Sequence, residues 1–440
     1  MGFTKDFKWG AATAAFQIEG GYDERGENIW DMFCRRGGAV AFSQDGKTAC
    51  DHYNRFREDV QIMKEIGVKT YRFSVSWARI MPDGLGKINQ KGVDFYNALI
   101  DELTANGITP YMTLFHWDYP LALHRKGGWL NPESPEWFGE YTKVLMDLFS
   151  DRVSHFMTLN ETHCFIGLGY GIGVHAPGLK LSEEEALIAG HNALKAHGTA
   201  VRVIRKYAKT PPVIGYAPVG DVRIPSGDAK EDIDAAYEEM FRACDPHYWG
   251  NAMWVDPVML GKYNDEMLAA FKKYGIDITD EDMALISEPI DFLGVNIYVG
   301  SKIPYVPPKV GFDQTSIGWE MSPEALYWGP KFYYERYRKP IYITENGMAN
   351  VDVISGDGKV HDPQRIEFLR RYIKCLKKAA EEGVEIEGYF HWSLMDNFEW
   401  AEGYQKRFGL VYIDYPSQKR IMKDSAYWYR DLIKSNGENL

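Results

Sequence analysis

Two glutamates have the sequence setting of paired catalytic carboxylates. Glu161 ends the run Thr-Leu-Asn-Glu at residues 158–161, and Glu345 lies in the run Ile-Thr-Glu-Asn-Gly at residues 343–347. Each follows a short apolar stretch of β type, so each carboxylate is expected at the end of a strand. Two facing carboxylates are what glycoside hydrolysis requires, because one protonates the departing oxygen while the other attacks the anomeric carbon or activates water. When configuration is retained, the two carboxyl groups lie about 5–5.5 Å apart.

The chain alternates between strand-like apolar runs and longer helical patterns, and these elements must position the two glutamates. The strand-like runs are residues 8–16, 70–77, 109–117, 155–160, 213–217, 291–297, 341–344 and 387–392. The helical patterns, in which apolar residues recur three and four positions apart, are residues 51–66, 91–106, 137–149, 183–207, 365–382 and 423–434. Alternating strands and helices indicate parallel βαβ units, and eight such units predict closure into a (β/α)8 barrel.

We therefore predict an α/β protein that forms a single (β/α)8 TIM barrel with elaborated βα loops. Residues 1–440 are expected to form one catalytic domain, because a barrel of this kind can absorb the whole length of the chain. The stretch from about residue 218 to residue 290 is longer than one helix requires. With its loop at residues 221–228 and its extra helices, it is expected to be an insertion on the barrel.

Charge and composition exclude several classes of function. The chain carries 50 basic and 62 acidic residues, a net charge of −12, whereas a nucleic-acid partner calls for a basic surface. Its five cysteines are scattered without a C-x-x-C pair, and His191 and His197 are six residues apart. Neither a disulfide framework nor a metal site is therefore expected. We predict no cofactor, no metal and no nucleic-acid partner.

The sequence has no pattern that targets it to a membrane. No apolar run of about 18 residues occurs, and residues 1–9 lack the apolar stretch of a signal peptide. A cytoplasmic protein is therefore expected, and the sequence does not indicate its oligomeric state.

Polar and aromatic residues gather where the predicted strands end. In a (β/α)8 barrel these ends meet at one face, which is where the chemistry of such barrels lies. The residues at these positions are Gln17, Arg72, His116, Trp117, Asn160, Asn296, Tyr298 and Trp392, with Glu399 and Trp400 in the loop after the last strand. The chain is also rich in aromatic residues, with 13 Trp, 28 Tyr and 22 Phe, and a ring with a polar edge suits the binding of sugars. We therefore expect a carbohydrate site around Glu161 and Glu345.

These motifs closely resemble those of family 1 glycoside hydrolases, the retaining β-glucosidase family. The resemblance is carried by residues 7–13 (Phe-Lys-Trp-Gly-Ala-Ala-Thr), 17–20 (Gln-Ile-Glu-Gly), 158–161, 343–347 and 406–410 (Lys-Arg-Phe-Gly-Leu). It covers nearly the whole chain, and the motifs occur in the order found in the family. The fold of that family is the (β/α)8 barrel, in agreement with the alternation described above.

The resemblance implies a role for each matching residue near the scissile bond. Glu161 would be the general acid/base and Glu345 the nucleophile. Arg72 and Tyr298 would hydrogen-bond the nucleophile and keep it ionised, since a cationic donor lowers the pKa of a carboxylate. Asn296 belongs to the same catalytic group. Glu161 must start protonated and later act as a base, so its pKa is expected to be raised, in part by the charge of Glu345.

The resemblance also implies a set of sugar contacts. Asn160 would contact the 2-hydroxyl, a contact that strengthens in an oxocarbenium-like transition state. The residues implied for the 3-, 4- and 6-hydroxyls are Gln17, His116, Glu399 and Trp400. Trp392 would form a platform beneath the ring, and Trp319 would lie at the entrance for the aglycone. Trp117 and Phe408 complete the predicted substrate-binding set.

Glu399 separates two classes of substrate. Relatives that act on 6-phosphorylated glycosides carry serine at this position, with lysine and tyrosine downstream to hold the phosphate. Glu399 would repel a phosphate and can accept hydrogen bonds from free hydroxyls. Lys406 and Arg407 lie nearby in sequence, but Gln405 and Phe408 do not restore the phosphate pattern. Unphosphorylated sugars are therefore favoured.

The chain departs from the family pattern directly after Glu161. The family usually has proline there, and this sequence has Thr162. Proline would fix φ and remove an N–H group, whereas threonine frees both. We expect the loop that bears Glu161 to be looser or differently hydrogen-bonded, with an altered rate or pH optimum and no loss of function.

The resemblance implies a retaining exo-β-glycosidase. It would remove terminal non-reducing β-D-glucose from cello-oligosaccharides and from aryl or alkyl β-glucosides, by double displacement through a covalent glycosyl-enzyme. Side activity on β-galactosides and β-fucosides is expected. Two alternatives stay open, a 6-phospho-β-glucosidase and a transglycosylating β-glycosidase. A non-catalytic sugar-binding protein is disfavoured because Glu161 and Glu345 are both present.

Overall fold

Eight parallel strands close into a barrel in the computed structural model, which describes residues 2–307 and 310–440. The strands are β1 (Lys8–Ala12), β2 (Thr70–Ser74), β3 (Thr109–Phe115), β4 (His155–Asn160), β5 (Val213–Ala217), β6 (Phe292–Asn296), β7 (Ile341–Asn346) and β8 (Ile386–Trp392). Each strand pairs with its neighbours in the chain, and β1 pairs with β8 with Gly10 opposite Phe390. The predicted (β/α)8 barrel is therefore confirmed.

Helices connect the strands and pack around the barrel. Those between successive strands, or after β8, are His52–Ile66, Gln90–Ala105, Ser134–Phe149, Glu183–Tyr207, Ala325–Tyr337, Pro363–Glu381 and Asp424–Lys434. Short helices in the loops are Ala15–Ile18, Tyr22–Glu24, Ile29–Cys34, Ala41–Ser43, Trp77–Ile80, Leu121–His124, Gly128–Leu130, Cys164–Gly171, His247–Trp249 and Trp400–Glu402. In the part of the chain that the structure describes, no helix has the length and apolar character needed to cross a membrane.

Helix sequences explain where the helices begin and which face they bury. Pro363–Glu381 starts with proline at its first position, where a missing N–H costs nothing. Its buried residues recur three and four positions apart, and they are Arg365, Phe368, Leu369, Tyr372, Ile373, Leu376 and Ala379. Glu183–Tyr207 begins with a capping box between Ser182 and Glu185, which satisfies otherwise unpaired N–H groups.

The segment between β5 and β6 holds extra helices, as predicted for the insertion. They are Lys230–Phe241, Asn251–Trp254, Asp256–Leu260, Asp265–Lys273 and Asp280–Ile286. The predicted loop at residues 221–228 contains a short strand, Val222–Pro225, which pairs in parallel with Gly300–Ile303. A second small sheet is the antiparallel pair Val411–Asp414 and Lys419–Met422.

Several predicted strand boundaries were wrong. The strand expected at residues 8–16 ends at Ala12, and the next residues form the helix Ala15–Ile18, whose first N–H donates to Ser74 Oγ at 2.8 Å. A short run of small apolar residues does not distinguish a strand from a buried helical turn. The strands expected at 70–77 and 109–117 likewise end early, at Ser74 and Phe115, whereas β7 extends beyond the predicted 341–344 to include Glu345. The helix Ala325–Tyr337, which contains Pro330, lies outside the predicted helical patterns.

Aromatic side chains fill the interior of the barrel below its C-terminal face. Tyr111 of β3 and Tyr342 of β7 come from opposite sides of the ring, yet their ring centroids lie 6.1 Å apart, and Tyr111 also packs 5.1 Å from Phe390. Gly10 makes room for this layer, because an added Cβ would lie 2.5 Å from Phe390 Cδ1. The barrel is therefore a packed core, and a ligand can enter only from the face where the strands end.

Candidate active site

A cleft of about 230 Å³ opens at the C-terminal ends of the strands. The predicted site residues that line it are His116, Trp117, Glu161, Tyr298, Trp319, Glu345, Trp392, Glu399, Trp400 and Phe408. The other predicted site residues, Gln17, Arg72, Asn160 and Asn296, are buried at 1% exposure or less and contact the lining side chains from behind. Barrel closure thus brings the residues predicted from the strand ends to one place.

Glu345 is held by two donors, one on each carboxylate oxygen. Arg72 Nη1 donates to Oε1 at 2.6 Å, and Tyr298 Oη donates to Oε2 at 2.7 Å. The side chain is 3% exposed. Burial raises the pKa of Glu345, while the charge of Arg72 and the hydrogen bonds from Tyr298 and Arg72 act in the opposite direction. The carboxylate form of Glu345 therefore has both a cation and a hydroxyl to stabilise it.

Glu161 has a poorer set of partners. Asn296 Nδ2 donates to Glu161 Oε1 at 2.7 Å, and the carboxyl has no hydrogen bond from a cationic group among the described residues. Burial, together with the nearby charge of Glu345, raises the pKa of Glu161 to about 7. Because Glu345 alone is paired with a cation, a single proton shared by the two carboxyl groups resides on Glu161.

A network of amides joins the two carboxyl groups. Asn160 Oδ1 accepts from Arg72 Nη2 at 2.5 Å and from Asn296 Nδ2 at 3.0 Å. Asn296 is itself oriented by Thr344 Oγ1, which donates to its Oδ1 at 2.6 Å. The amide group of Asn160 therefore turns toward His116, with 3.1 Å between Asn160 Nδ2 and His116 Nε2. Burial and the charge of Arg72 hold the pKa of His116 well below its usual range, so the ring is neutral and Nε2 is assigned as the acceptor.

Aromatic rings form the closed end of the cleft. Trp400 packs with centroid distances of 4.6 Å to both Trp117 and Trp30. Trp392 lies 5.7 Å from the His116 ring at an interplanar angle of 20°. Trp117 Nε1 donates to the carbonyl of Asn160 at 3.0 Å, which ties this wall to the network beside the carboxyl groups.

A second aromatic group lines a more exposed part of the cleft. The ring centroid of Trp319 lies 5.3 Å from that of Tyr298 and 6.2 Å from that of Phe408. Trp319 is partly exposed, whereas Trp392 and Trp400 are buried. The cleft is therefore more open at Trp319 than at Trp392 and Trp400.

Glu399 and Gln17 lie together at the closed end. Gln17 Nε2 donates to the carbonyl of Phe398 at 2.9 Å and lies 3.4 Å from Glu399 Oε2. Gln17 Oε1 is buried without a protein partner in the described part of the chain. Burial, reinforced by the charges of Glu345 and Glu161, raises the pKa of Glu399 to about 8.

Basic side chains near the cleft are engaged elsewhere. Lys406 Nζ donates to the carbonyl of Ser316 at 2.7 Å, and Arg407 Nη1 donates to Asp396 Oδ2 at 2.6 Å. The described residues that line the cleft include four glutamates and neither lysine nor arginine. No described residue of the cleft lining is therefore a lysine or arginine that could face a ligand directly.

The predicted site left out several residues of the lining. These are Cys164, Leu168, His175, Ile317, Ala401 and Glu402. The sequence contained a signal for Cys164, because this residue lies three positions after Glu161, about one helical turn. In the structure the N–H of Cys164 donates to the Glu161 carbonyl at 2.9 Å. The others lie in the loops that follow the strands or in the short helices Cys164–Gly171 and Trp400–Glu402, whose placement depends on tertiary packing.

Thr162 is buried beneath the cleft. Its Oγ1 lies 2.6 Å from the hydroxyl oxygen of Tyr216, and both residues have 0% exposure. Proline at position 162 has no hydroxyl with which to make this hydrogen bond. The expected change in rate or pH optimum stays a prediction.

The sequence and the fold have relatives among known proteins. The family model described as Glycosyl hydrolase family 1 matches residues 1–438. Beta-glucosidase A of Thermotoga maritima is 46% identical over 447 residues, which cover 99% of this chain and 98% of that protein. A bifunctional beta-D-glucosidase/beta-D-fucosidase of Bifidobacterium breve is 38% identical over 469 residues, which cover 98% of each protein.

The likeness extends to three dimensions. A solved structure of the family 1 β-glucosidase from Thermotoga maritima superposes with a TM-score of 0.91 at 44% sequence identity. The superposition covers 99% of both chains, so the cleft and both glutamate motifs lie within the matched region.

Proposed function

The chain belongs to glycosyl hydrolase family 1, and from this premise we propose that it is a retaining β-glucosidase that removes terminal β-D-glucose. The observation that carries the proposal is the unequal pair of carboxyl groups in the cleft. Glu345 has a cation and a hydroxyl as donors, whereas Glu161 has an amide and a pKa raised to about 7. The surroundings of Glu345 therefore favour the anion, and those of Glu161 favour the protonated acid.

In the first step, Glu345 attacks the anomeric carbon while Glu161 protonates the departing oxygen. The bond between the anomeric carbon and the aglycone oxygen breaks, and a covalent glycosyl-enzyme forms on Glu345. Asn160 would contact the 2-hydroxyl as positive charge develops on the sugar, and its bonds to Arg72 and Asn296 support this role by holding it in one orientation.

In the second step, Glu161 is ionised and acts as the base. It removes a proton from water, and the water oxygen attacks the anomeric carbon to release Glu345. Esterification of Glu345 removes the charge that raised the pKa of Glu161 in the free enzyme. Its loss lowers that pKa and favours the basic form when it is needed.

Hydrolysis from the end of a sugar chain fits the shape of the cleft. The closed end is formed by Trp400 and Glu399, with Gln17 buried behind them, so that end accommodates the terminal sugar and no further unit. The leaving group would extend past Trp319 toward solvent. Aryl and alkyl β-glucosides and short cello-oligosaccharides are therefore proposed as substrates, and side activity on β-fucosides and β-galactosides is supported by the bifunctional relative for fucosides.

Several broader features belong to the same proposal. We propose that residues 1–440 form one catalytic domain, because the insertion is tied to the barrel helices where Asp256 accepts hydrogen bonds from Arg336 and Tyr337.

A cytoplasmic location is supported by the five cysteines, which are all described and all unpaired. The proposed ligands are small glycosides.

The unphosphorylated sugar is expected to be preferred over its 6-phosphate by at least about 100-fold. A phosphate would be buried beside Glu399 without a cation from the described lining residues, at a cost of about 3 kcal/mol or more. The measurement is kcat/KM for an aryl β-glucoside and for its 6-phosphate. The matched control is Glu399→Ser. This variant should hydrolyse the unphosphorylated substrate more weakly, so the ratio of the two kcat/KM values should fall. A preference for the phosphate in the unmodified enzyme would support the 6-phospho-β-glucosidase instead.

Activity is expected to decline above a pH of about 7. The acid form of Glu161 is present below its pKa of about 7 and is lost above it, so kcat/KM should fall about tenfold per pH unit on the alkaline side. On the acid side, activity should fall as Glu345 becomes protonated. The measurement is kcat/KM for 4-nitrophenyl β-glucoside between about pH 4 and pH 10.

Glu161→Gln serves as the control for this profile. Its side chain has no proton to lose, so the decline that starts near pH 7 should disappear while the acid decline remains. Any decline left in this variant should start near the Glu399 pKa of about 8. An unchanged alkaline decline in Glu161→Gln would assign that decline to another group.

A further inference from the structure

The turn that carries Glu161 has an unfavourable backbone conformation. Glu161 has φ of +51°, in the left-handed region that residues with side chains seldom adopt. Such a conformation persists only when surrounding contacts enforce it. Since Glu161 is the proposed acid/base, whatever holds this turn also sets where the catalytic proton is delivered.

The barrel sheet alone does not define this turn. Along the pair β4–β5, Met157 is opposite Gly215 but Asn160 is opposite Ala217, so the register shifts by one residue just before Glu161. An irregularity of this kind leaves the end of the strand less constrained by ladder hydrogen bonds. Other contacts must therefore take over at Glu161 and Thr162.

Two hydrogen bonds, one from Glu161 and one from Thr162, hold the turn against β5. The N–H of Glu161 donates to the carbonyl of Ala217 at 2.8 Å. The next residue, Thr162, places its Oγ1 2.6 Å from the hydroxyl oxygen of Tyr216. The first bond is available to almost any residue, whereas the second requires a hydroxyl at position 162 and a tyrosine at position 216.

The bond between Thr162 and Tyr216 is shielded from water. Both residues have 0% exposure, and burial raises the pKa of Tyr216, so its hydroxyl stays protonated. Loss of either hydroxyl would leave the other buried without a partner, which favours a shift of the turn.

We propose that Thr162 and Tyr216 are positioning residues that hold Glu161 in line for proton transfer. The inference rests on the proposed role of Glu161 as acid/base. Neither hydroxyl touches the substrate; their bond fixes the backbone from which Glu161 reaches the departing oxygen. Without this hydrogen bond the turn would place the carboxyl group of Glu161 less accurately. Small misplacements of a catalytic group lower the rate of the reaction strongly.

The test compares two substrates that differ in their need for an acid. A 2,4-dinitrophenyl β-glucoside has a leaving group that departs without protonation, whereas an alkyl β-glucoside needs a proton from Glu161. Thr162→Val and Tyr216→Phe are each expected to lower kcat/KM for the alkyl glucoside by about 10- to 100-fold, with a much smaller effect on the dinitrophenyl substrate. Because both substrates are measured on one preparation, the fraction of folded protein cancels in the ratio.

Three further variants sharpen this test. Thr162→Ser keeps a hydroxyl and should restore the ratio of the unmodified enzyme. The double variant Thr162→Val/Tyr216→Phe should lose no more than either single variant, since the two hydroxyls act as one unit. The matched control is Thr13→Val, which removes an equally short buried bond, 2.6 Å from Thr13 Oγ1 to Tyr71 Oη, and should change both substrates by the same factor.

Glu161→Ala, measured in parallel, separates failure of the inference from failure of the proposed function. If Glu161→Ala loses the alkyl substrate selectively but Thr162→Val and Tyr216→Phe affect both substrates equally, the positioning role is wrong and the acid/base assignment stands. If Glu161→Ala itself shows no selectivity, the assignment of Glu161 is wrong, and the positioning role is overturned with it.

Discussion

Replacement of Glu345 by glycine is expected to lower kcat for an aryl β-glucoside by about 10⁵-fold, because the variant has no nucleophile to form the covalent intermediate. The loss should be specific to chemistry. Arg72 and Tyr298 would keep their places but donate to no carboxylate. The measurement is the steady-state rate, together with a binding assay to show that the variant still takes up a glucoside.

Added azide should partly restore turnover of Glu345→Gly. The small anion fits the space left by the carboxylate and attacks the anomeric carbon directly, so a single displacement yields an α-glucosyl azide with inverted configuration. The product is identified by the coupling constant of its anomeric proton. A β-glucosyl azide from this variant would show that Glu345 is not the nucleophile.

Replacement of Glu161 by alanine is expected to have the second largest effect, and the effect should depend on the leaving group. For alkyl glucosides and cellobiose, kcat/KM should fall by about 10²- to 10⁴-fold, the usual contribution of a positioned general acid. For a dinitrophenyl glucoside the first step should change little, because the leaving group needs no proton. The second step should become slow, since no base activates water, and glycosyl-enzyme should accumulate.

The azide product of each variant serves as a control for that of the other. In Glu161→Ala, azide attacks the glycosyl-enzyme without needing a base and should yield a β-glucosyl azide with retained configuration. Opposite anomers from the two variants would support both assignments at once. The same anomer from both would contradict the double-displacement mechanism.

Much of the fold was predictable because the pattern that encodes it is local. Apolar residues at helical spacing placed Glu183–Tyr207 without error and located Pro363–Glu381 within two residues. The alternation of strands with helices then led to the barrel. Strand ends were less predictable, since the run after Ala12 is apolar whether it forms a strand or the helix Ala15–Ile18.

The candidate site, like the fold, was predictable only in part. The sequence determined which residue types stand at the strand ends, and its motifs indicated Glu161 and Glu345 as the pair to consider. It did not determine which side chains contact one another. Arg72 reaches Glu345 across 273 residues, and Thr162 reaches Tyr216 across 54, because closure and register of the barrel bring them together.

Only the tertiary structure decided the electrostatics. Glu161 and Glu345 are the same residue type, and nothing in either side chain makes one an acid and the other an anion. Burial of both, with Arg72 and Tyr298 on one and Asn296 on the other, creates the difference. A pKa depends on the charges and donors within a few ångströms, and these come from distant parts of the chain that meet only when the barrel closes.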